Sequence, residues 1–265
     1  MKEHKIFVRD LKVNYKTFGL PAQSGPPAEA GEGRPMLIFP GWRSNSERWV
    51  KVAEILAQNN IRVIVPDLPG FGKSEEPKTA WSIDDYVEWA REFTELVPEL
   101  KDSFYLLGHS FGGTLAAKFT IKYNQKVSRL FLVSASSIRI KTPSKKAAYN
   151  FSRIVKLFYF IPYYELFRKF IYKYVIRKSD YAYVSGIMRD IYLKVIADDL
   201  SHKINFIKVP TILIWGDKDD LTPIEHANIM TSKIPGSKLV VIPGAKHNLN
   251  IMIPDVLAQK VLENL

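Results

Sequence analysis

Ser110 stands at the centre of Gly108-His-Ser-Phe-Gly112, between the apolar run Phe104 to Leu107 and a stretch with helical periodicity from Phe111. A G-x-S-x-G turn drives the chain through a sharp strand-to-helix reversal, so the residues two before and two after the serine must be small. The reversal exposes the hydroxyl at the strand end, and the start of the next helix adds positive potential there. A glycine-rich turn without chemistry has the same composition, so the flanking strand and helix carry the argument. A serine hydroxyl attacks a carbonyl carbon only when a base removes its proton. Of the five histidines, His4 lies near the N-terminus, His109 inside the turn, His202 in a basic segment and His226 in a helical pattern. His247 follows an apolar run, on the loop of Pro243-Gly-Ala-Lys-His247, and is the one placed to reach Ser110. The alternative for His247 is an ordinary solvated loop histidine.

An imidazole base needs an acid that fixes its tautomer and stabilises its charged form. Asp217, Asp219 and Asp220 follow the run Thr211 to Trp215. Any of the three could instead cap the next helix, and Asp220 is well placed for that. The glycine and glutamate spacing of an EF-hand is absent, so the acidic run is not a calcium loop. Acyl transfer also needs donors for the developing oxyanion, worth about 3 kcal/mol each. The Phe111 amide is one candidate. The Trp42 amide, in the turn Pro40-Gly-Trp-Arg43, is the other. This chemistry requires no metal and no cofactor.

These residues must be held by a frame, and the sequence spells one out. Ile6 to Val8 and Leu11 to Phe18 read as paired strands, and Pro21 to Pro35 as a surface loop. Strand-like runs follow at Met36 to Phe39, Ile61 to Val65, Phe104 to Leu107, Val127 to Ser134, Thr211 to Trp215 and Lys238 to Ile242. Helical patterns alternate with them at Ser46 to Gln58, from a cap at Ser82 or Asp84 to about Val97, and at Phe111 to Tyr123. Two more cover Pro223 to Ile234 and Asp255 to Leu265. Short apolar strands alternating with helices predict a mostly parallel eight-stranded α/β sheet with helices on both faces. Active sites of such sheets form beyond the carboxyl ends of the strands, where each motif above falls.

Composition narrows the classes further. At 265 residues with 46% hydrophobic and 25% charged residues, the chain is an ordinary globular protein and not a disordered one. The absence of cysteine excludes disulfides, thiolate metal sites and cysteine nucleophiles. Residues Met1 to Asp10 lack a signal-peptide pattern, and the apolar runs are strand-sized. The expectation is a cytoplasmic, soluble protein without a transmembrane segment. The net charge of +11 is uneven: residues 139–203 carry fourteen Lys/Arg against five Asp/Glu.

The motifs together resemble the α/β-hydrolase fold superfamily, in its serine-nucleophile, carboxylesterase-like branch. Besides Gly108 to Gly113, the likeness rests on Pro40-Gly-Trp-Arg-Ser-Asn-Ser-Glu-Arg-Trp49 and Pro66-Asp-Leu-Pro-Gly-Phe-Gly-Lys-Ser74. In that family the acid is usually the third residue after the glycine of W-G-x-x-D-x-x-x-P, which here is Asp219, with Pro223 in register. The resemblance thus implies Ser110, Asp219 and His247 as catalytic residues, and an oxyanion hole from the Trp42 and Phe111 amides. Two positions depart from the family pattern. Pro40 replaces the usual histidine before the oxyanion turn, and Arg43 stands where a small residue is common.

The stretch from Ser137 to about Phe206 is too long for a structureless loop. The resemblance implies a helical cap (residues 137–206) on a core of residues 1–136 and 207–265. Its aromatics, Phe158, Tyr163 and Phe167 among them, would roof an apolar pocket with Arg43 at the mouth. Its basic face is either solvated or a dock for an anionic surface or an acidic carrier protein; the oxyanion turn and Asp67 to Gly72 look like those of carboxylesterases acting on carrier-linked pimelate esters. Nucleic acid is not expected as a partner, because no recognisable nucleic-acid module is present. The expected function is hydrolysis of a small-molecule carboxylic ester. Carbon–carbon bond hydrolysis of ring-cleavage products, or a non-catalytic binding protein on the same fold, is the alternative.

Overall fold

A computed structural model describes residues 1–19, 35–139 and 183–265. The surface loop expected from Pro21 lies, up to residue 34, outside the described residues, as do Phe158, Tyr163 and Phe167.

Eight strands form one sheet in the order β1-β2-β4-β3-β5-β6-β7-β8. Strands β1 (Lys2–Val8) and β2 (Leu11–Phe18) make an antiparallel hairpin, and β2 pairs antiparallel with β4 (Val63–Pro66). Arg9 and Asp10 close the hairpin with φ of 50° and 62°, the left-handed pair a two-residue turn needs. The strands β3 (Met36–Phe39), β5 (Phe104–His109), β6 (Val127–Val133), β7 (Thr211–Gly216) and β8 (Lys238–Ile242) join β4 in parallel register.

The period-two geometry of strands explains why these runs are apolar throughout. Leu37, Phe39, Leu106, Leu130, Leu132, Leu213 and Trp215 face one layer of the core. Their neighbours Met36, Ile38, Leu107, Phe131, Val133 and Ile214 face the other. Helices α2 (Ile83–Leu96), α3 (Phe111–Lys122) and α5 (Ile224–Lys233) cover the first face. Helices α1 (Val50–Gln58) and α7 (Pro254–Leu262) pack together on the second, with the short α6 (Leu249–Met252) between β8 and α7.

Three local expectations needed refinement. The helix expected from Ser46 opens as a 3-10 turn, Ser46–Trp49, before α1 begins. Ser82 rather than Asp84 caps α2, because Asp85 reciprocates: its carboxylate accepts the Ser82 amide at 2.7 Å while Ser82 Oγ accepts the Asp85 amide. Asp220 does not cap α5, whose first turn follows Pro223 without a side-chain cap.

The last part of the long insert is also described. Helix α4 (Gly186–Ala197) and the chain that follows it through the turn Ile204–Phe206 bury Ile191, Val195, Leu200 and Ile204 in the same core layer as α2 and α3. The Leu200 amide donates to the Ser137 carbonyl at 2.9 Å, tying the two ends of the insert together.

Gly112 sets the distance between α3 and β3. A Cβ there would collide with the carbonyl oxygens of Phe39 and Pro40. Gly112→Ala is therefore expected to cost about 1–3 kcal/mol of stability, read as a lower urea midpoint with an unchanged slope. An unchanged midpoint would contradict this packing.

Candidate active site

Ser110 links the end of β5 to the first turn of α3, with φ 54° and ψ −117°. That backbone is strained for any residue with a side chain. The surroundings hold it in place. The Ser110 amide donates to the Val133 carbonyl at 3.0 Å, and its carbonyl accepts from the amides of Gly113, Thr114 and Ser136. The turn after β3 runs directly alongside: a Cβ on Gly41 would lie 2.9 Å from His109 Nδ1 and 3.3 Å from Ser110 Cβ. The Trp42 amide is the next in that turn, and the Phe111 amide opens α3, where no intrahelical acceptor exists.

The loops after β7 and β8 meet in a buried polar chain. His247 Nδ1–H donates to Asp219 Oδ2 at 2.8 Å. Asp219 Oδ1 accepts the amides of Leu221 and Thr222, at 3.0 and 2.8 Å. Burial alone would raise the Asp219 carboxyl. The hydrogen bond and charge of His247, with the amide and hydroxyl of Thr222, outweigh it and hold the group below the usual carboxylate range. A carboxylate on Nδ1 fixes the tautomer that leaves Nε2 free to take a proton. Of the three candidate acids, Asp217 and Asp220 are exposed while Asp219 is buried against the imidazole. Asp217 has another task, accepting the Gly244 amide at 2.6 Å.

No hydrogen bond joins the Ser110 hydroxyl to the His247 ring; their loops are joined through His109. Its Nε2–H donates to the His247 carbonyl at 3.0 Å, and the two rings lie 5.0 Å apart between centroids. Burial, helped by the charge of His247, pushes the His109 imidazole down to about 3, so it is neutral across the physiological range. In the sequence this residue reads only as part of the turn. The signal was its place beside Ser110, but its partner is 138 positions away and no spacing rule reveals it.

Aromatic side chains crowd the Ser110 side of the site. The Trp42 ring packs edge-on to Phe71 and Phe111, with centroids 4.9 and 5.4 Å away, and leans on Tyr192 of α4 at 5.3 Å. Arg43, also left-handed with φ 55°, lies over the exposed Tyr183 ring at 4.9 Å. Buried Asp67 fastens the segment Pro66 to Ser74 beneath this wall, accepting the amides of Ser46 and Lys73 at 2.7 and 2.9 Å. Among the described residues, no group of three or more His, Cys, Asp or Glu side chains could hold a metal ion. Nor is any described helix long and apolar enough to cross a membrane.

Residues 34–160 and 192–252 match the family model described as the alpha/beta hydrolase fold. The chain belongs to that family. It is 26% identical over 238 residues to Lipase 1 of Psychrobacter immobilis, covering 81% of this chain and 71% of that protein. A solved putative lipase from Acinetobacter baumannii AYE matches with a TM-score of 0.73 and 21% identity, over 99% of this chain and 90% of the other. A meta-cleavage product hydrolase from Pseudomonas fluorescens IP01 matches at 0.70 and 21%, over 98% and 96%. At that identity the structural likenesses speak for the fold.

The lowered value of His109 has a consequence for acid stability. Its folded value lies below the ordinary 6.5, so as pH falls from about 6.5 toward 3 the unfolded chain binds a proton that the native protein refuses. The full contribution is present above 6.5, and it erodes by up to about 1.4 kcal/mol per pH unit below that. His109→Gln should flatten this part of the stability curve, measured by urea unfolding at pH 7 and pH 4.5. Parallel losses in wild type and variant would show that residue 109 does not resist protonation.

Proposed function

We propose that the protein is a serine hydrolase that cleaves small-molecule carboxylic esters through an acyl-Ser110 intermediate. The observation that carries this reading is the buried 2.8 Å bond from His247 to Asp219, presented at the same sheet end as the strained Ser110. The separation of hydroxyl and imidazole does not weigh against it, because bonds of this kind often tighten only when substrate is bound.

In this mechanism Ser110 Oγ attacks the ester carbonyl carbon while His247 Nε2 takes its proton. The Trp42 and Phe111 amides receive the developing oxyanion. Collapse of the tetrahedral intermediate expels the alcohol, which leaves with the proton from His247. A water molecule then attacks the acyl-serine, gives its proton to His247 Nε2, and Ser110 recovers that proton as the acid departs. Asp219 holds the imidazole throughout and stabilises its charged form. The aromatic wall of Trp42, Phe71 and Phe111 suits an apolar acyl or alkyl group beside the carbonyl.

Residues 137–206 act in this reading as a cap over the site, with Phe158, Tyr163 and Phe167 in its roof and Arg43 at the mouth. The lipase name of the Psychrobacter relative supports ester over carbon–carbon cleavage. The meta-cleavage relative makes a ring-cleavage dienone the proper competitor in the assay.

Purified protein should hydrolyse p-nitrophenyl esters and leave such a dienone intact. Ser110→Ala should abolish ester turnover, and Asp219→Asn should lower kcat by roughly 10³–10⁴-fold. Dienone cleavage without ester turnover would replace the ester reading. The excess of basic residues in 139–203 supports recruitment of an acidic carrier or anionic surface. Activity on a carrier-linked ester should then fall with salt and with charge reversal at Arg168, Lys169 and Lys173. Indifference to both would leave the basic face as a solvated one.

A further inference from the structure

We infer that Thr222 is a positioning residue whose hydroxyl, wedged between Asp219 and His247, limits how tightly the carboxylate holds the imidazole. The inference rests on the reading of His247 as the base. Thr222 Oγ1 lies 2.8 Å from Asp219 Oδ2, 3.2 Å from His247 Nδ1 and 3.2 Å from the Ser134 carbonyl oxygen. A hydroxyl has one proton to give. The shortest contact is to the carboxylate, where a charge-assisted bond is also the strongest. Asp219 Oδ2 is thus shared by two donors, the Thr222 hydroxyl and the His247 ring.

The hydroxyl is held there from every side. Thr222 is buried, and its carbonyl accepts Trp215 Nε1–H at 2.7 Å. Its amide is bound to Asp219 Oδ1, and its β-branched side chain has few rotamers. Ser134 leaves β6 with φ 46°, and its amide is fixed on the Ile214 carbonyl at 3.1 Å. That turn presents the Ser134 carbonyl as a second acceptor for the same hydroxyl. When His247 takes a proton, the Thr222 hydroxyl can swing toward Ser134 and yield Oδ2 to the imidazolium.

A donor on a carboxylate weakens its basicity and hence its grip on an adjacent cation. Removing the hydroxyl therefore favours the charged imidazole, and the neutral base persists only at higher pH. Asp219 and His247 belong to this chain, and neutral His109 is bonded to the His247 carbonyl; a further buried histidine, His226, stands in the first turn of α5, its amide on the Pro223 carbonyl. Asp217, Lys218, Asp220 and Lys246 on the two loops are exposed.

The test compares wild type, Thr222→Val and Thr222→Ser, with Thr222→Ala in reserve should the valine variant not fold. The acid limb of the kcat/KM profile on a p-nitrophenyl ester should move up by about half a pH unit or more in Thr222→Val. Thr222→Ser should restore it, and KM should hold, since the hydroxyl touches no substrate. NMR titration of the ring signal that disappears in His247→Gln should move the same way without any turnover. An unshifted limb and titration in Thr222→Val, or a serine variant that shifts as far as valine, would overturn the inference. If no ester is turned over but the ring titration shifts, the polar-chain role of Thr222 stands and the hydrolase reading fails instead.

Discussion

A serine backbone forced into φ 54° costs about 1–3 kcal/mol, and the whole carboxyl end of the sheet is arranged to sustain it. The parallel register of β5 and β6, which sets His109 against Val133, lets the Val133 carbonyl take the Ser110 amide. Three amides converge on the Ser110 carbonyl, and two of them come from α3 itself. Close approach of α3 to β3 and β5 is possible only because residues 108 and 112 lack a Cβ. The strain is thus distributed over two strands, a helix and the turn after β3. Its product is a hydroxyl held out at the sheet edge where the turn after β3 and the loops after β6, β7 and β8 meet.

That edge is held together by bonds between loops as well as by the sheet. His109, from the end of β5, holds the His247 carbonyl; Thr222, from the β7 loop, gives its hydroxyl proton to Asp219 and lies against the Ser134 carbonyl at the end of β6. Asp219 uses both oxygens, and all of these groups are buried. In a site of low polarity each bond is stronger and each unmade one more costly, so the chain is rigid. Rigidity of this kind lets an imidazole hold a fixed tautomer without water competing for it.

The strands and most helices were legible because a sheet buried on both faces leaves uninterrupted apolar runs, as at Thr211 to Trp215. Ser110 and His247 were legible as members of a turn motif and a strand-end loop. Asp219 was not separable from Asp217 and Asp220 by chemistry alone; the family resemblance singled it out, and burial beside His247 distinguishes it in the fold. His109 and Thr222 escaped because their partners are set by the relative placement of separate strands. The Ser46 turn and the uncapped start of α5 show the ordinary limit: end geometry depends on which neighbour satisfies the first amides. The aromatics of the insert, Phe158, Tyr163 and Phe167, remain expectations of sequence, since they lie outside the described residues.

Covalent trapping reads, without reference to any particular ester, whether His247 makes Ser110 nucleophilic. Treatment with a fluorophosphonate, followed by intact-mass and peptide analysis, should yield one adduct per chain, carried by Ser110. The rate of labelling should collapse in His247→Gln while the fold persists. An adduct on another residue, or labelling of Ser110 at an undiminished rate without the imidazole, would show that Ser110 and His247 are not a nucleophile and its base.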